Sequence, residues 1–243
     1  MRQAEKVDLG SDDWTMEIRP YASAFHFPIK ELWEYRDLLF LFVRRDFKTM
    51  YKQTILGPSW ILLSPLLTTG MFSLIFGRIA GISTDGTPAF LFYMAGNILW
   101  NYFSSCLSAA SSTFIGNAGL FGKVYFPRIV VPASSAVSKL ITFGAQFLLF
   151  LILLFCSLGS GQVRITWLCL MTPVLLVMLA LLAIGTGMIL ASLTAKYRDL
   201  QVLVGFGIQL WMYASPIVYP LSQIPGKWRI LLSLNPVGTL FLL

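Results

Sequence analysis

The chain has 243 residues, of which 56% are hydrophobic and only 12% carry a charge, and its net charge is +7. At a mean hydropathy of +0.73, a soluble domain of this length is excluded, because it would expose large apolar patches to water. Nucleic acid is not expected as a partner, because the basic residues mostly flank apolar stretches, as the positive-inside rule requires of a membrane protein.

The N-terminal region predicts a polar tail followed by an amphipathic helix. Residues 1–29 are polar and mixed in charge, and they lack the apolar core of a signal peptide. In residues 30–53 a helical period gathers charged side chains on one face, with Arg36 and Asp46 as exceptions on the apolar face. A helix this charged is expected to lie among lipid headgroups. It is either a simple anchor or a collar that holds the membrane part against a cytoplasmic partner.

Residues 54–243 predict a transmembrane domain. Five apolar stretches reach or approach the length of about 20 residues that a helix needs to cross a bilayer core about 30 Å thick. The basic cluster before the first stretch places the N-terminus in the cytoplasm, and the loops then alternate. A sixth run, 237–243, is expected to be the start of a truncated span. The five stretches are 55–76, 88–113, 129–158, 167–193 and 202–219.

Two inside loops are candidates for contact with another protein. A short amphipathic helix at 118–124 fits before Pro127 and could be pushed by a partner, although an ordinary connection would carry the same basic flank. Residues 116–123 have the wrong glycine spacing for a phosphate-binding loop and lack its Ser or Thr, so ATP and Mg²⁺ are expected in a separate subunit. In the second loop, Arg198 and Asp199 either pair with each other or dock a partner.

The outer segment 215–236 predicts a break in the helical structure. It holds four prolines and two apolar pieces too short to span. Such segments form re-entrant or interfacial helices where protein buries them or where they line a cavity. The segment is therefore either an outward gate or a plain structured loop. The candidate gate residues are Ser215, Pro216, Tyr219, Pro220, Trp228, Asn235 and Pro236.

Lys139 and Trp211 are candidate pore residues within the apolar stretches. A charge inside a span marks a functional site by default, but Lys139 lies near enough to the start of its stretch to snorkel inward. Aromatic residues at span ends usually form an interfacial belt, and some line a passage. The cysteines and His26 show no metal-ligand spacing, so no metal, cofactor or catalytic residue is expected in this chain.

In order and spacing, the motifs resemble those of ABC-2-type polysaccharide export permeases, the membrane subunits of O-antigen, capsule and teichoic acid exporters. The resemblance covers nearly the whole chain after residue 29. Its motifs are ELWEYRDL at 31–38, RRDFK at 44–48, YKQTILGP at 51–58, Asn117 and Lys123 with FPR at 126–128, YRD at 197–199, SPI at 215–217, YP at 219–220, and NP at 235–236.

The resemblance implies an all-α polytopic membrane protein of the ABC-2 exporter type, with six transmembrane helices per subunit. It implies a homodimer in the bacterial inner membrane, embedded in membrane lipids, with two copies of a separate ATP-binding subunit. A lipid-linked polysaccharide, O-antigen above all, would pass outward between the two permease copies, and this chain would not be an enzyme.

The resemblance also assigns roles to single residues. Residues 30–53 would be the interface helix, acting through Trp33, Arg36, Arg44, Arg45, Asp46 and Lys48. The residues that couple the permease to the ATPase would be Asn117, Leu120, Lys123, Arg128, Arg198 and Asp199.

Other functions fit parts of the pattern. A related ABC-2 permease for capsule, teichoic acid, a drug or a lipid shares the fold, and only its cargo separates it. A membrane-embedded enzyme would need acidic or His clusters at the membrane face, and the spans lack them. A secondary transporter would show paired ionisable residues near the midplane or internal repeats, and neither is apparent.

Overall fold

The regular structure of the chain is helical, as its periodicity predicts. The structure is a computed structural model of the protein, and it describes residues 29–52, 57–84, 86–158, 171–220 and 235–240. The gate candidate Trp228 and the predicted tail up to residue 28 lie outside these ranges. The elements are α1 (Ile29–Glu34), α2 (Arg36–Tyr51), a 3-10 turn (Gly57–Ser59), α3 (Trp60–Phe72) with a π-helical continuation (Ser73–Ile79), α4 (Ala89–Ser111), α5 (Thr113–Gly116), α6 (Ala118–Phe121), α7 (Val130–Leu158), α8 (Thr172–Lys196), α9 (Leu200–Tyr213) and α10 (Pro236–Leu240).

Three helices of the described chain are long and apolar enough to cross a bilayer: Gly57–Ile79, Val130–Leu158 and Thr172–Lys196. They correspond to the first, third and fourth predicted stretches. The second stretch also forms a long helix, α4, but α4 is more polar than the other three. It contacts α3, α7, α8 and α9 and buries more residues than any of them. A helix covered by protein on most sides does not need a fully apolar surface.

Helix α9 is shorter than its predicted stretch, 202–219. It ends at Tyr213 and has 14 residues, which at 1.5 Å per residue is about 21 Å, less than a bilayer core of about 30 Å. The reason lies in the residues that follow. Pro216 disfavours the helical conformation of the residue before it, and residues 214–217 form a turn.

Contacts between helices establish their relative directions. Helix α3 runs antiparallel to α4, because Gly77 lies against Ala89 while Phe72 contacts Tyr93. Helix α4 runs parallel to α8, because Leu107 approaches Gly187 and the Thr194 hydroxyl donates to the Ser111 carbonyl at 2.9 Å. The cytoplasmic loops predicted from charge, at 116–128 and 196–199, therefore lie at the same end of the bundle.

The close approach of α4 and α8 depends on Gly187. A Cβ at this position would meet Ala110 at a distance that real Cβ atoms do not show, with the Leu107 carbonyl oxygen at 3.2 Å. Gly185, one half-turn away on the same helix, has open space at its Cβ position.

We expect Gly187→Ala to destabilise the bundle by about 1–3 kcal/mol, as overpacking of a tight contact does. Gly185→Ala is the matched control, and we expect it to be neutral or mildly stabilising, because alanine favours a helix interior. The midpoint of thermal unfolding in detergent measures both effects. Equal midpoints for the two variants would contradict the close approach.

Candidate functional site

At the end of the bundle that is predicted to be cytoplasmic, the predicted interface helix packs against the predicted coupling loop. Phe42 of α2 is buried with Phe126, Val130 and Val131, which lie in the loop before α7 and in its first turn. The sequence suggested both segments separately but did not predict that they share an apolar cluster. Partly buried side chains that surround this cluster are Leu32, Tyr35, Leu38, Leu39, Leu120 and Phe121.

A series of ring contacts runs through this end of the molecule. The ring centroids of Phe114 and Phe121 lie 6.0 Å apart, those of Phe121 and Phe126 5.4 Å, and those of Phe126 and Phe42 5.9 Å. Aromatic pairs at such distances contribute about 0.5–1.5 kcal/mol each beyond their buried area. Because the rings belong to α5, α6, the following loop and α2, a displacement of the loop must also move α2.

Arginines cover both ends of this ring series. The Arg128 guanidinium carbon lies 5.8 Å from the Phe114 ring centroid, and that of Arg45 lies 4.7 Å from the centroid of Phe42. Arg45 also donates to Asp46 Oδ1 from Nε at 3.1 Å and from Nη2 at 2.9 Å. These two hydrogen bonds neutralise the Asp46 carboxylate, which allows Asp46 to lie on the apolar face of α2.

The predicted single helix over residues 30–53 is wrong in one detail. It is interrupted at Tyr35, whose backbone (φ −93°, ψ 20°) separates α1 from α2. Tyr35 packs against the apolar cluster, a tertiary contact that the helical period does not contain. The other predicted interface residues, Trp33, Arg36, Arg44 and Lys48, are exposed.

The predicted coupling helix at 118–124 is also shorter than expected. Helix α6 ends at Phe121, and Gly122 and Lys123 form a turn before Pro127. Asn117 donates from Nδ2 to the Thr113 carbonyl at 3.1 Å, Leu120 is half-buried, and Lys123 is exposed.

The residues after α6 present an apolar surface that the sequence reasoning missed. Val124 is 55% exposed and Tyr125 is 56% exposed. Together with Lys123 they form the outer side of a loop whose inner side, Phe126, is buried. We call residues 123–125 the coupling edge. Large apolar side chains on an exposed loop are typical of a surface that a partner covers.

Arg198 and Asp199 do not pair with each other within the part of the chain that the structure describes. Asp199 caps α9 by accepting a hydrogen bond from the Leu200 amide at 3.1 Å. Arg198 is exposed, and Lys196 stacks over the Tyr197 ring at 5.2 Å. The turn therefore leaves Arg198 exposed, whereas Asp199 has a structural role as a helix cap.

At the other end of the bundle, Asn235 closes the break that follows α9. Its Oδ1 accepts from Trp211 Nε1 at 2.9 Å and from the Val237 amide at 3.1 Å. Its Nδ2 donates to the Ala214 carbonyl at 3.1 Å and to Ser215 Oγ at 3.0 Å. One side chain thus links the end of α9 to the start of α10, where Pro236 occupies the first helical position.

The predicted gate residues that the structure describes lie in this break, and all of them except the exposed Pro236 are buried or half-buried. Ser215, Ile217 and Val218 are at most 2% exposed, and Ile217 packs so closely on Gly96 of α4 that a Cβ on Gly96 would lie 3.0 Å from Ile217 Cγ2. Tyr219 donates from its hydroxyl to the Tyr213 carbonyl at 3.0 Å. Irregular backbone at membrane depth requires such cover. Pro220 is buried and Pro216 half-buried.

The candidate pore residues differ in their surroundings. Trp211 bonds to Asn235 and meets the Phe103 ring edge-on, with centroids 5.4 Å apart, so it supports the outer break. Lys139 is half-buried in a cleft between α2, α4 and α7. Whether either residue lines a pore stays a prediction.

Helix α9 carries a polar stripe that the sequence reasoning also missed. None of its residues is fully buried, and Gln201, Gly205 and Gln209, each four residues apart, are exposed on one face. A primary amide facing lipid tails loses its hydrogen bonds with water at a cost of several kcal/mol. This face therefore requires water or another protein molecule.

The chain belongs to the ABC-2 type transporter family, whose pattern matches residues 37–241. It is a multi-pass membrane protein and the membrane subunit of an ABC transporter, and membership of this family implies a partner ATP-binding subunit.

Among curated proteins it is similar to the O-antigen export system permease protein RfbA of Myxococcus xanthus, with 32% identity over 214 residues, 87% of this chain and 80% of the relative. It is also similar to two proteins of the same name from Klebsiella pneumoniae, each 28% identical over 85% of this chain and 78% of the relative.

We expect Asn235→Ala to lower the free energy of unfolding by about 2–4 kcal/mol, because several hydrogen bonds worth about 0.5–1.5 kcal/mol each are lost together. Asn101→Ala is the control, since the Asn101 side chain makes no hydrogen bond to the described residues. Thermal unfolding in detergent measures the difference. A loss no larger than that of the control would contradict the role of Asn235 at the break.

Proposed function

We propose that this chain is the permease subunit of an ATP-driven exporter of lipid-linked polysaccharide, with O-antigen as the cargo. The similarity to O-antigen export permeases over more than four-fifths of the chain supports this cargo. The chain itself performs no bond chemistry. ATP and Mg²⁺ are bound by the partner subunit, and hydrolysis there drives transport.

The main structural support for this function is the apolar cluster around Phe42 and Phe126, which joins the interface helix to the coupling loop. Its inner residues Phe42 and Phe126 are buried together, while Val124 and Tyr125 at the coupling edge are exposed. An ATP-binding subunit that docks on the coupling edge moves the loop and, through the ring contacts, moves α2 and the start of α7. ATP-driven motion thereby reaches the membrane-spanning helices.

Orientation in the bacterial inner membrane is supported by charge. The end that carries α2, α6 and the α8–α9 turn holds most basic residues outside the described spans, whereas Arg78 is the one at the opposite end of the described chain. By the positive-inside rule, this distribution supports a cytoplasmic position for the first end and for the N-terminus.

The proposed transporter is a homodimer of this chain with two ATP-binding subunits, and the polar stripe of α9 supports the pairing of two permease copies. One copy leaves Gln201 and Gln209 uncovered. Two copies that turn these faces toward each other enclose a path lined by amides, which hydrogen-bond to water and to sugar hydroxyls. The path lies between copies, as the transport of a long polar polymer requires.

The double variant Val124→Ser, Tyr125→Ser tests docking at the coupling edge. We expect about tenfold weaker co-purification with the ATP-binding subunit, the effect of removing an aromatic anchor from an interface. O-antigen export, read from surface polysaccharide in a strain that lacks its own permease, should fall with it. Ile79→Ser, which alters an apolar side chain that is 75% exposed at the opposite end of the bundle, is the control.

Undiminished co-purification and export in the double variant would refute docking at this edge. Export of a different polymer by the wild-type chain, with O-antigen absent from the surface, would leave the permease role standing and change the cargo.

A further inference from the structure

A cleft with unsatisfied polar groups lies near the cytoplasmic end, between α2, α4 and α7. Its volume is about 300 Å³, and its polar lining includes Asp46, Thr49, Ser135, Ser138 and Lys139. The cleft forms only where α2 packs against α7, so neither the interface helix nor the coupling loop forms it alone.

Two hydrogen-bond donors of the cleft, on Ser138 and Lys139, have no acceptor among the described residues. Ser138 is 9% exposed, and its buried Oγ has no hydrogen-bond partner in the described chain. The Lys139 ammonium makes no ion pair or hydrogen bond with the described residues. Asp46, the acidic group of the cleft, is already bound by Arg45 through two hydrogen bonds. An anion would satisfy the free ammonium and the buried hydroxyl together.

The depth of the cleft identifies the source of that anion. The uncharged remainder of α7, residues 140–158, is about 28 Å long at 1.5 Å per residue, close to a bilayer core of about 30 Å. Lys139 is then at the inner edge of the core, where lipid phosphates lie. The apolar side chains of Phe47 and Met50 on the cleft wall suit the adjoining part of a lipid.

We propose that this cleft binds the phosphate group of a lipid in the inner leaflet. The Lys139 ammonium supplies the charge, and the Ser138 hydroxyl donates a hydrogen bond to a phosphate oxygen. The arrangement places a lipid between the interface helix and α7, so that lipid binding and the position of α2 are linked. The site does not depend on the proposed cargo, because both membrane phospholipids and lipid-linked sugars carry phosphate at this depth.

Native mass spectrometry of the purified full-length chain tests the site with four probes: phosphatidylglycerol, a polyprenyl diphosphate, diacylglycerol and inorganic phosphate. We expect the two phosphorylated lipids to bind and the diacylglycerol and inorganic phosphate not to bind. Lys139→Met should weaken lipid binding about tenfold or more, because hydrogen bonds to charged groups are among the strong ones. Lys139→Arg should retain binding, and Lys196→Met, which removes an exposed lysine elsewhere, is the charge-matched control.

Two further variants test whether the polar residues of the cleft bind lipid or only stabilise the fold. Ser138→Ala should weaken lipid binding about threefold without changing the elution volume of the protein. Asp46→Asn should leave lipid binding unchanged or tighter, since it removes a negative charge from the cleft. If Lys139 served only to pair with Asp46, Asp46→Asn and Lys139→Met would lower the thermal stability alike and neither would change lipid binding.

A comparison of the affinities of the two phosphorylated lipids also distinguishes the two possible sources of the lipid. Tighter binding of the polyprenyl diphosphate would assign the site to a lipid-linked sugar, and tighter binding of phosphatidylglycerol to the surrounding membrane; both support a lipid phosphate site. Equal binding by wild type and Lys139→Met, or binding of inorganic phosphate alone, would overturn it. Since the readout is binding, failure here leaves the export role untouched.

Discussion

Polar groups inside a bilayer must be covered by protein or by water, and the arrangement of this bundle follows from that requirement. Helix α4 is the most polar of the long helices and occupies the centre, in contact with four others. The break after α9 is tolerated because Asn235 bonds to both of its sides and Ile217 is buried against Gly96. At both places, residues of the same chain cover the polar groups, and the helices pack closely together.

The surfaces that we propose to be functional lie where a single copy leaves polar or apolar groups uncovered. The stripe of Gln201, Gly205 and Gln209 is exposed on α9, and the Lys139 ammonium makes no ion pair with the described residues. The coupling edge exposes Val124 and Tyr125 at the end of the bundle that we propose to be cytoplasmic. These surfaces fit a second copy with a water-filled path, a lipid phosphate and an ATP-binding subunit, respectively.

The sequence predicted the helical class, the family and most of the long helices correctly, because these depend on apolar length and on local motifs. It could not predict features that depend on tertiary structure. These are the packing of Phe42 on Phe126, the bond from Trp211 to Asn235, and the helix break at Tyr35. The end of α9 was misplaced for a related reason, since hydropathy continues through residues 214–219 although the helix does not. The stripe on α9 was detectable in principle from the spacing of its two glutamines.

The most direct measurement of the central claim is the water accessibility of α9. In a chain whose native cysteines are replaced by alanine, assembled with its ATP-binding subunit, Gln209→Cys and Ile189→Cys are treated with a charged, membrane-impermeant thiol reagent. Ile189 is 65% exposed on α8 and faces lipid in this account. We predict labelling of Gln209→Cys and none of Ile189→Cys, because only α9 faces a water-filled path. Equal absence of labelling at both positions would contradict that path.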